Sequence, residues 1–459
     1  MSGNPRLLVD GARYLSRADC EALSKRILSY STSDGARVVI SSGNRGNTRF
    51  AVNQVSTAGD NYNASVSIVC SFGKRTGTVN TNRLDETSLR EAVRSAETLA
   101  KLSPEDPEAL PELESQQYAE SLGWSEATAS LDPARRSGAT REISDAARAA
   151  GLVATGYAET IAGATAVGNS RGLFAYGRQT QLAFTTTVRT PDGTGSGWAG
   201  TAGHDWGQVN AKALASRAIE KAKRSVNPVA IEPGRYTVIL EPTAVGNLVQ
   251  LLAFSMSARS ADEGRSFFSK PGGGTKIGLK VVDERVTLVS DPADREAYAL
   301  PFAQDGTPLA RTTWIENGLV KNLSYDRYWA QKQGKVPTPV PATLRMSGDD
   351  SASIEDLIES TERGVLVTRF WYIRPVDPRT ILFTGLTRDG TFLIENGKIS
   401  KAVKNLRFNE SPVFMLNNLE KMGKPERVSA SESGGAGTAI VVPPIKIHDF
   451  NFTSLSDAI

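Results

Sequence analysis

Apolar residues spaced three and four apart alternate along the chain with runs in which every second residue is apolar, so helices and strands are expected in turn. Residues 17–32 carry the helical period. Leu23, Ile27 and Leu28 supply the stripe, Ser16 is the expected N-cap, and Asp19 completes a capping box. Four strand-like runs follow: Arg37 to Ile40, Thr48 to Val55, Ala64 to Phe72 and Thr76 to Val79, the last two joined by a turn at Gly73-Lys74-Arg75. A helix beginning at Asp85 then places Leu89, Ala92, Val93, Ala96 and Leu99 on one face. Helix, sheet and helix in succession form an α+β pattern, not alternating βαβ units.

Residues 102–123 are acidic, proline-rich and poor in apolar side chains, the texture of a linker between a first subdomain (17–101) and a second, central one (124–226). Asp132 and Pro133 open a helix that Gly151 ends. Strands recur from Leu152 to Gly203, and a helix follows over 208–224. From Gly234 the pattern changes. A strand, Tyr236 to Leu240, leads into an apolar helix over 242–258, and many short strands then follow. Asp305-Gly306, Asn317-Gly318, Asp389-Gly390 and Asn396-Gly397 are the turn signals that punctuate them. A late helix, Ile354 to Arg363, has Ser353 and Asp356 as its capping box and Gly364 just past its end. The expected fold is α+β: an N-terminal helix–sheet–helix region and a larger, strand-rich antiparallel C-terminal domain over 232–459.

Charge and composition narrow the function. Lys and Arg number 53 against 50 acidic residues, and no basic run stands out, so a nucleic-acid partner is not expected. Two cysteines, Cys20 and Cys70, cannot build a disulfide framework and read as buried thiols. No apolar run approaches the roughly 20 residues that span a bilayer, and the N-terminus has no signal-type apolar core. A cytoplasmic protein without membrane contact is the expectation.

Three patterns invite a chemical reading. Gly195 to Gly200 spells GxGxxG, but His204-Asp205-Trp206-Gly207 follows where a dinucleotide site needs a helix start, so a glycine-rich hairpin is expected. Lys270-Pro271-Gly272-Gly273-Gly274-Thr275-Lys276 has the order of a phosphate loop reversed, and reads as a mobile loop placed to act as a flap over a cleft. Histidine is scarce: only His204 and His448, far apart, with no HxxxH or HExxH pair. Catalytic zinc needs three protein donors beside an open water position. Counting alone leaves a Ser-His-Asp arrangement open, although no GxSxG elbow marks a nucleophile.

The order of these segments resembles the TldD/PmbA family, whose members were once described as modulators of DNA gyrase. The likeness is carried by Asp34 to Val39, Thr48 to Val55, Leu89 to Val93, Asn169 to Phe174, Gly195 to Ala199, Glu232 to Pro242, Ser353 to Ile358, Gly364 to Thr368 and Ile394 to Gly397. It implies a metallopeptidase in which the TldD-type subunit bears a His-Glu-x-x-x-His helix after the strand matching Tyr236 to Leu240, with a cysteine near the C-terminus. In this sequence the histidine positions fall on Gln250 and Ser255, the glutamate position on Leu251, and the cysteine region on residues 430–435, which contain no cysteine. Neither a metal ligand nor a catalytic base is therefore expected in this chain, and no cofactor. That pattern is similar to the TldE/PmbA-type subunit, and implies a TldD-like partner that holds zinc and peptide substrates processed by the pair. A homodimer is open to the chain when that partner is missing. Arg265, Phe267 and Phe268, directly after the helix, are the expected groove-lining residues. Two other classes stay open: a stand-alone peptide-binding or scaffolding protein, and a hydrolase using serine with His204 or His448.

Overall fold

The computed structural model describes residues 14–429 and 439–456. Six strands form the first sheet: β1 (Gly35–Ala51), β2 (Gln54–Phe72), β3 (Arg75–Thr81), β4 (Val153–Asn169), β5 (Phe174–Arg189) and β6 (Ser196–Gly203). They are antiparallel throughout, in the order β3-β2-β1-β4-β5-β6. Strand periodicity explains its two faces. Ala36, Val38, Ile40, Ser42, Thr48 and Phe50 of β1 turn to one side and are buried. Helices α1 (Arg17–Leu28), α2 (Glu86–Leu102), α4 (Pro133–Ala149) and α5 (Ala211–Arg224) cover that side, with a short α3 (Glu126–Ala129) nearby. Two clusters result, one around Leu23, Ile68 and Leu89, the other around Phe50, Ile143, Phe184 and Leu214. The strands of 17–101 and 124–226 thus share one sheet.

β1 and β2 are much longer than their apolar runs. Gly43 to Asn47 has no apolar alternation, yet pairing with β2 on one side and β4 on the other satisfies its backbone. The hairpin turn falls on Val52-Asn53, both at positive φ, inside the stretch 48–55 that alternation assigns to a strand. The fully buried Arg136 of α4 reaches down to this polar stretch. Its guanidinium meets the Asp60 carboxylate at 2.5 Å and donates to the Thr48 and Thr160 hydroxyls.

Residues 103–125 contain no helix or strand, yet they are pinned at both sides. Arg37 pairs with Glu112, and Asn169 donates to the Leu113 carbonyl. Towards the C-terminal half, Arg259 holds both oxygens of Glu108 at 2.7 Å, and the Tyr118 hydroxyl donates to the Gly306 carbonyl.

Strand β7 (Gly234–Leu240) feeds α6 (Pro242–Phe254) and a short α7 (Ala258–Asp262). A second sheet, ordered β10-β9-β8-β11-β18-β17, is built from β8 (Leu288–Ser290), β9 (Thr312–Glu316), β10 (Leu319–Val320), β11 (Leu344–Met346), β17 (Glu426–Ser429) and β18 (Ala439–Val442). Helices α8 (Arg327–Gln333), α9 (Ile354–Glu359) and α10 (Pro412–Asn417) lie among these elements. The third sheet takes β7 with β12 (Arg363–Asp377), β13 (Leu382–Glu395), β14 (Lys398–Ala402), β15 (Leu406–Glu410), β16 (Leu419–Met422) and β19 (Ile445–Leu455). Its path β12-β7-β19-β15-β13 is closed into a ring because β13 also pairs with β12. Closure removes two sheet edges that would otherwise need covering. Val238, Leu240, Val367, Phe370, Phe408 and Phe450 pack into the largest core with α6.

The α+β class and the strand-rich C-terminal region stand as expected from the sequence. Besides the turn at Val52-Asn53, two local readings are corrected. Asp389-Gly390 is no turn: it lies within β13 at a bulge, where the β12–β13 register slips. An Asp-Gly pair signals positive φ, and a bulge uses that conformation as readily as a hairpin loop does. The late helix stops at Glu359, and Gly364 sits in β12 opposite Ile394, since β12 recruits the chain into the ring.

Candidate functional site

The candidate site is organised by α6. Pro242 at its first position suits a helix start, and Glu241 is the N-cap residue, although its side chain does not cap. Leu248, Val249 and Leu252 are buried against β12, β17 and β18, each contributing roughly 1.5–3 kcal/mol by leaving water. Gln250 and Leu251 are half-buried at the helix's outer side, Phe254 is exposed, and Ser255 is the C-cap residue. The Ser255 hydroxyl donates to the Leu251 carbonyl at 2.8 Å.

These three positions do not fit a catalytic zinc. An amide, an alkyl group and a hydroxyl engaged with its own helix give neither the imidazole donors nor the carboxylate that such a centre uses. Among the described residues no group of three or more His, Cys, Asp and Glu side chains converges as a metal-holding cluster. Residues 430–435, the counterpart of the family's cysteine region, lie outside the described residues.

At the other end of α6, roughly 12–20 Å along its axis, the chain opens into a cleft of about 1250 Å³. Its walls are α5, α9 and β14, and its floor includes Leu366 and Phe392. A side pocket of about 180 Å³, reaching Trp198 and Arg427, adjoins it through Lys221 and Glu241. Those two side chains pair at 2.7 Å, each 13% exposed. Glu241 also accepts from the Thr368 hydroxyl at 3.1 Å. Burial pulls the Lys221 amine below its ordinary range, and the Glu241 carboxylate pushes it back up. The pair therefore ties α5 of the first sheet to the start of α6.

Arg265, Phe267 and Phe268 do not reach this cleft. Arg265 is exposed and pairs with Glu263. Phe267 is half-buried under the Lys276 ammonium, 3.5 Å from its ring centroid, whereas Phe268 is wholly buried in the main core. The glycine-rich segment from Lys270 is a turn with Gly272, Gly273 and Gly274 at positive φ. GxGxxG runs from Gly195 into strand β6, where β-carbons at Gly195 and Gly197 would strike the backbone of α5. His204 packs edge-on against Tyr298, and burial beside Arg427 lowers its pKa. His448 is exposed and meets Glu420 at 3.1 Å. Among the described residues neither histidine is hydrogen-bonded to a serine: His448 faces Thr237 and Glu420, and His204 faces Tyr298.

Sequence reasoning missed the junction at Asp389. The bulge buries this carboxylate between the Arg369 and Arg388 guanidiniums, and it accepts from the Ser196 hydroxyl of β6 at 2.7 Å. Arg369 lies over both Trp198 and Trp371. The Asp-Gly pair was the one available signal.

Comparison with known proteins places this arrangement. The description "PmbA/TldA metallopeptidase central domain" belongs to a family model matching residues 107–226, and "PmbA/TldA metallopeptidase C-terminal domain" to one matching 233–454. A metalloprotease of Methanothermobacter thermautotrophicus is 24% identical over 308 residues, 61% of this chain and 65% of that protein. One from Archaeoglobus fulgidus is 24% identical over 243 residues, 50% of this chain and 55% of that protein. The chain therefore spans less than two thirds of the length of these curated relatives. TldE from Thermococcus kodakarensis superposes with a TM-score of 0.82 at 18% identity, covering 95% of this chain and 99% of that one. A Bacteroides thetaiotaomicron protein described as a modulator of DNA gyrase gives 0.80 at 19% identity, with 95% and 99% covered. Both likenesses concern the fold. With the two domain models together covering most of its length, the chain belongs to the PmbA/TldD metallopeptidase family.

Proposed function

We propose that this chain is the metal-free, TldE/PmbA-type subunit of a heteromeric metallopeptidase that processes unfolded or small peptides. The observation that carries this reading is the donor set at the end of α6. Gln250, Leu251 and Ser255 stand where the family's zinc-binding helix has two histidines and a glutamate, and Leu251 can neither bind metal nor take a proton. Zinc and the base belong to a TldD-like partner in the cytoplasm. This chain supplies cavity wall, substrate-binding surface and partner contact, with Arg265 and Phe267 as candidate groove residues and Phe268 in the core beside them. Co-expression with a TldD-like chain tests the reading: peptide cleavage is expected from the pair and from neither the isolated chain nor the pair lacking the partner's zinc ligands. Degradation of a disordered substrate by this chain alone would refute it. A second reading, a stand-alone peptide-binding protein, is favoured by the cleft, which is built wholly from this chain; stable binding of peptide with no partner interaction would select it.

A further inference from the structure

The cleft at the start of α6 contains an open sheet edge. Among the described strands β14 is the last on its path, and β13 is the one strand it pairs with. Asn396 and Gly397, at φ 50° and 73°, form the two-residue loop between them. In such a loop the flanking pair, Glu395 and Lys398, exchanges both hydrogen bonds. The next residue, Ile399, therefore turns its N–H and C=O to the outer edge. Further on, that edge is already used as a strand edge. The Val229 N–H donates to the Ala402 carbonyl at 2.9 Å, and the Lys404 N–H donates to the Val229 carbonyl at 3.0 Å. Between Lys398 and Lys401 the same edge borders the cleft.

The surroundings suit an extended polypeptide. Leu366 and Phe392 make an apolar floor, and Ile354, Ile358 and Ile399 pack half-buried beside them. The rim carries both signs of charge: Lys398 and Lys401 on β14 and Arg217 on α5, against Glu355 and Glu359 on α9. Recognition by strand addition draws affinity from main-chain hydrogen bonds and specificity from pockets for alternate side chains, and the open ladder position and the apolar floor supply one of each.

We infer that an unfolded peptide segment binds in this cleft by adding a strand to the outer edge of β14 at Ile399, continuing the ladder begun by Val229 and placing an apolar side chain over Leu366 and Phe392. The inference rests on the proposed role as a substrate-binding subunit and gives that role a location: the substrate is held at the far end of α6 from the motif positions.

The test uses the full chain and a short fluorescent peptide of alternating apolar and charged residues, followed by anisotropy. Saturable binding is expected. Methylating the peptide's alternate backbone nitrogens is expected to weaken it about tenfold, the cost of one lost hydrogen bond. Ile399→Pro should weaken the parent peptide by a similar factor. Because that variant can also disturb folding, Ser400→Cys carrying a photo-crosslinker provides a second readout, with the crosslink expected on the bound peptide. Equal affinity for the methylated peptide, or saturable binding with no crosslink from position 400, would overturn the inference. So would an edge occupied instead by a second copy of the chain, seen as concentration-dependent dimerisation that the crosslinker captures. Measured beside these, cleavage and metal content of the co-expressed pair separate the two ideas: intact activity with no strand addition removes this inference and leaves the subunit role in place.

Discussion

At the scale of single residues, the pair Lys221–Glu241 joins the two halves of the molecule through two charges largely withdrawn from water. Removing one therefore leaves the other uncompensated. Lys221→Met is expected to lower unfolding free energy by on the order of 3 kcal/mol in urea titrations. The double change Lys221→Met with Glu241→Gln should cost less than the single one; an equal or larger loss would mean that the pair adds nothing. Glu410 offers a pH readout. Its carboxylate accepts the Ser411 and Asn451 N–H groups, but burial dominates and raises its pKa. The folded state then keeps its proton where the unfolded state has lost it. Stability is therefore expected to fall as pH rises from the ordinary glutamate range through the raised value. Melting temperatures across weakly acid to neutral pH should fall less steeply in Glu410→Gln. At this scale the scarcity of histidine, His204 and His448 only, was legible without a structure. It was silent about Lys221 and Glu241, which are 20 positions apart on different elements and look like ordinary surface charges.

At the scale of elements, alternation and caps located the helices well, since a helix records its boundaries locally in residues such as Ser16, Asp85, Asp132 and Ser353. The long strands were under-read, because Gly43 to Asn47 owe their strand conformation to two neighbours that alternation cannot see. The groove residues show the same limit. Phe267 and Phe268 lie in a turn, where no period assigns their faces, and only the structure shows Phe267 half-buried and Phe268 in the core. Glycine gave more. Gly197 lies so close to the backbone of Ala218 and Ala222 that any β-carbon requires α5 to move. Gly197→Leu is expected to destabilise the protein by about 1–3 kcal/mol through overpacking. It should also loosen Lys221, visible as faster amide exchange along α5 than in Gly59→Leu, where the surroundings are open and no positive φ is required.

At the scale of the whole molecule, residues 103–125 act as a strap laid from the first sheet to the C-terminal half, and the sequence had offered only a linker. Its composition is that of a loop, yet its acidic side chains find arginines on both sides, at Arg37 and Arg259. These pairs are part-exposed, so Glu108→Ala should cost no more than about 1 kcal/mol. Its effect should appear instead in limited proteolysis, as faster cutting within 103–125 with unchanged melting of the core. Strands β7, β12, β17 and β18 pack around α6, with its motif turn at one end and the cleft at the other. In this account the helix is a structural member of a peptidase assembly, and the metal chemistry belongs to its partner. Metal analysis after co-expression with a TldD-like chain measures this most directly, with each subunit then separated under native conditions. The account predicts zinc near one equivalent in the partner and far below one in this chain, unchanged by Gln250→Ala or Ser255→Ala. Near-stoichiometric zinc retained by this chain, and lost on either substitution, would contradict it.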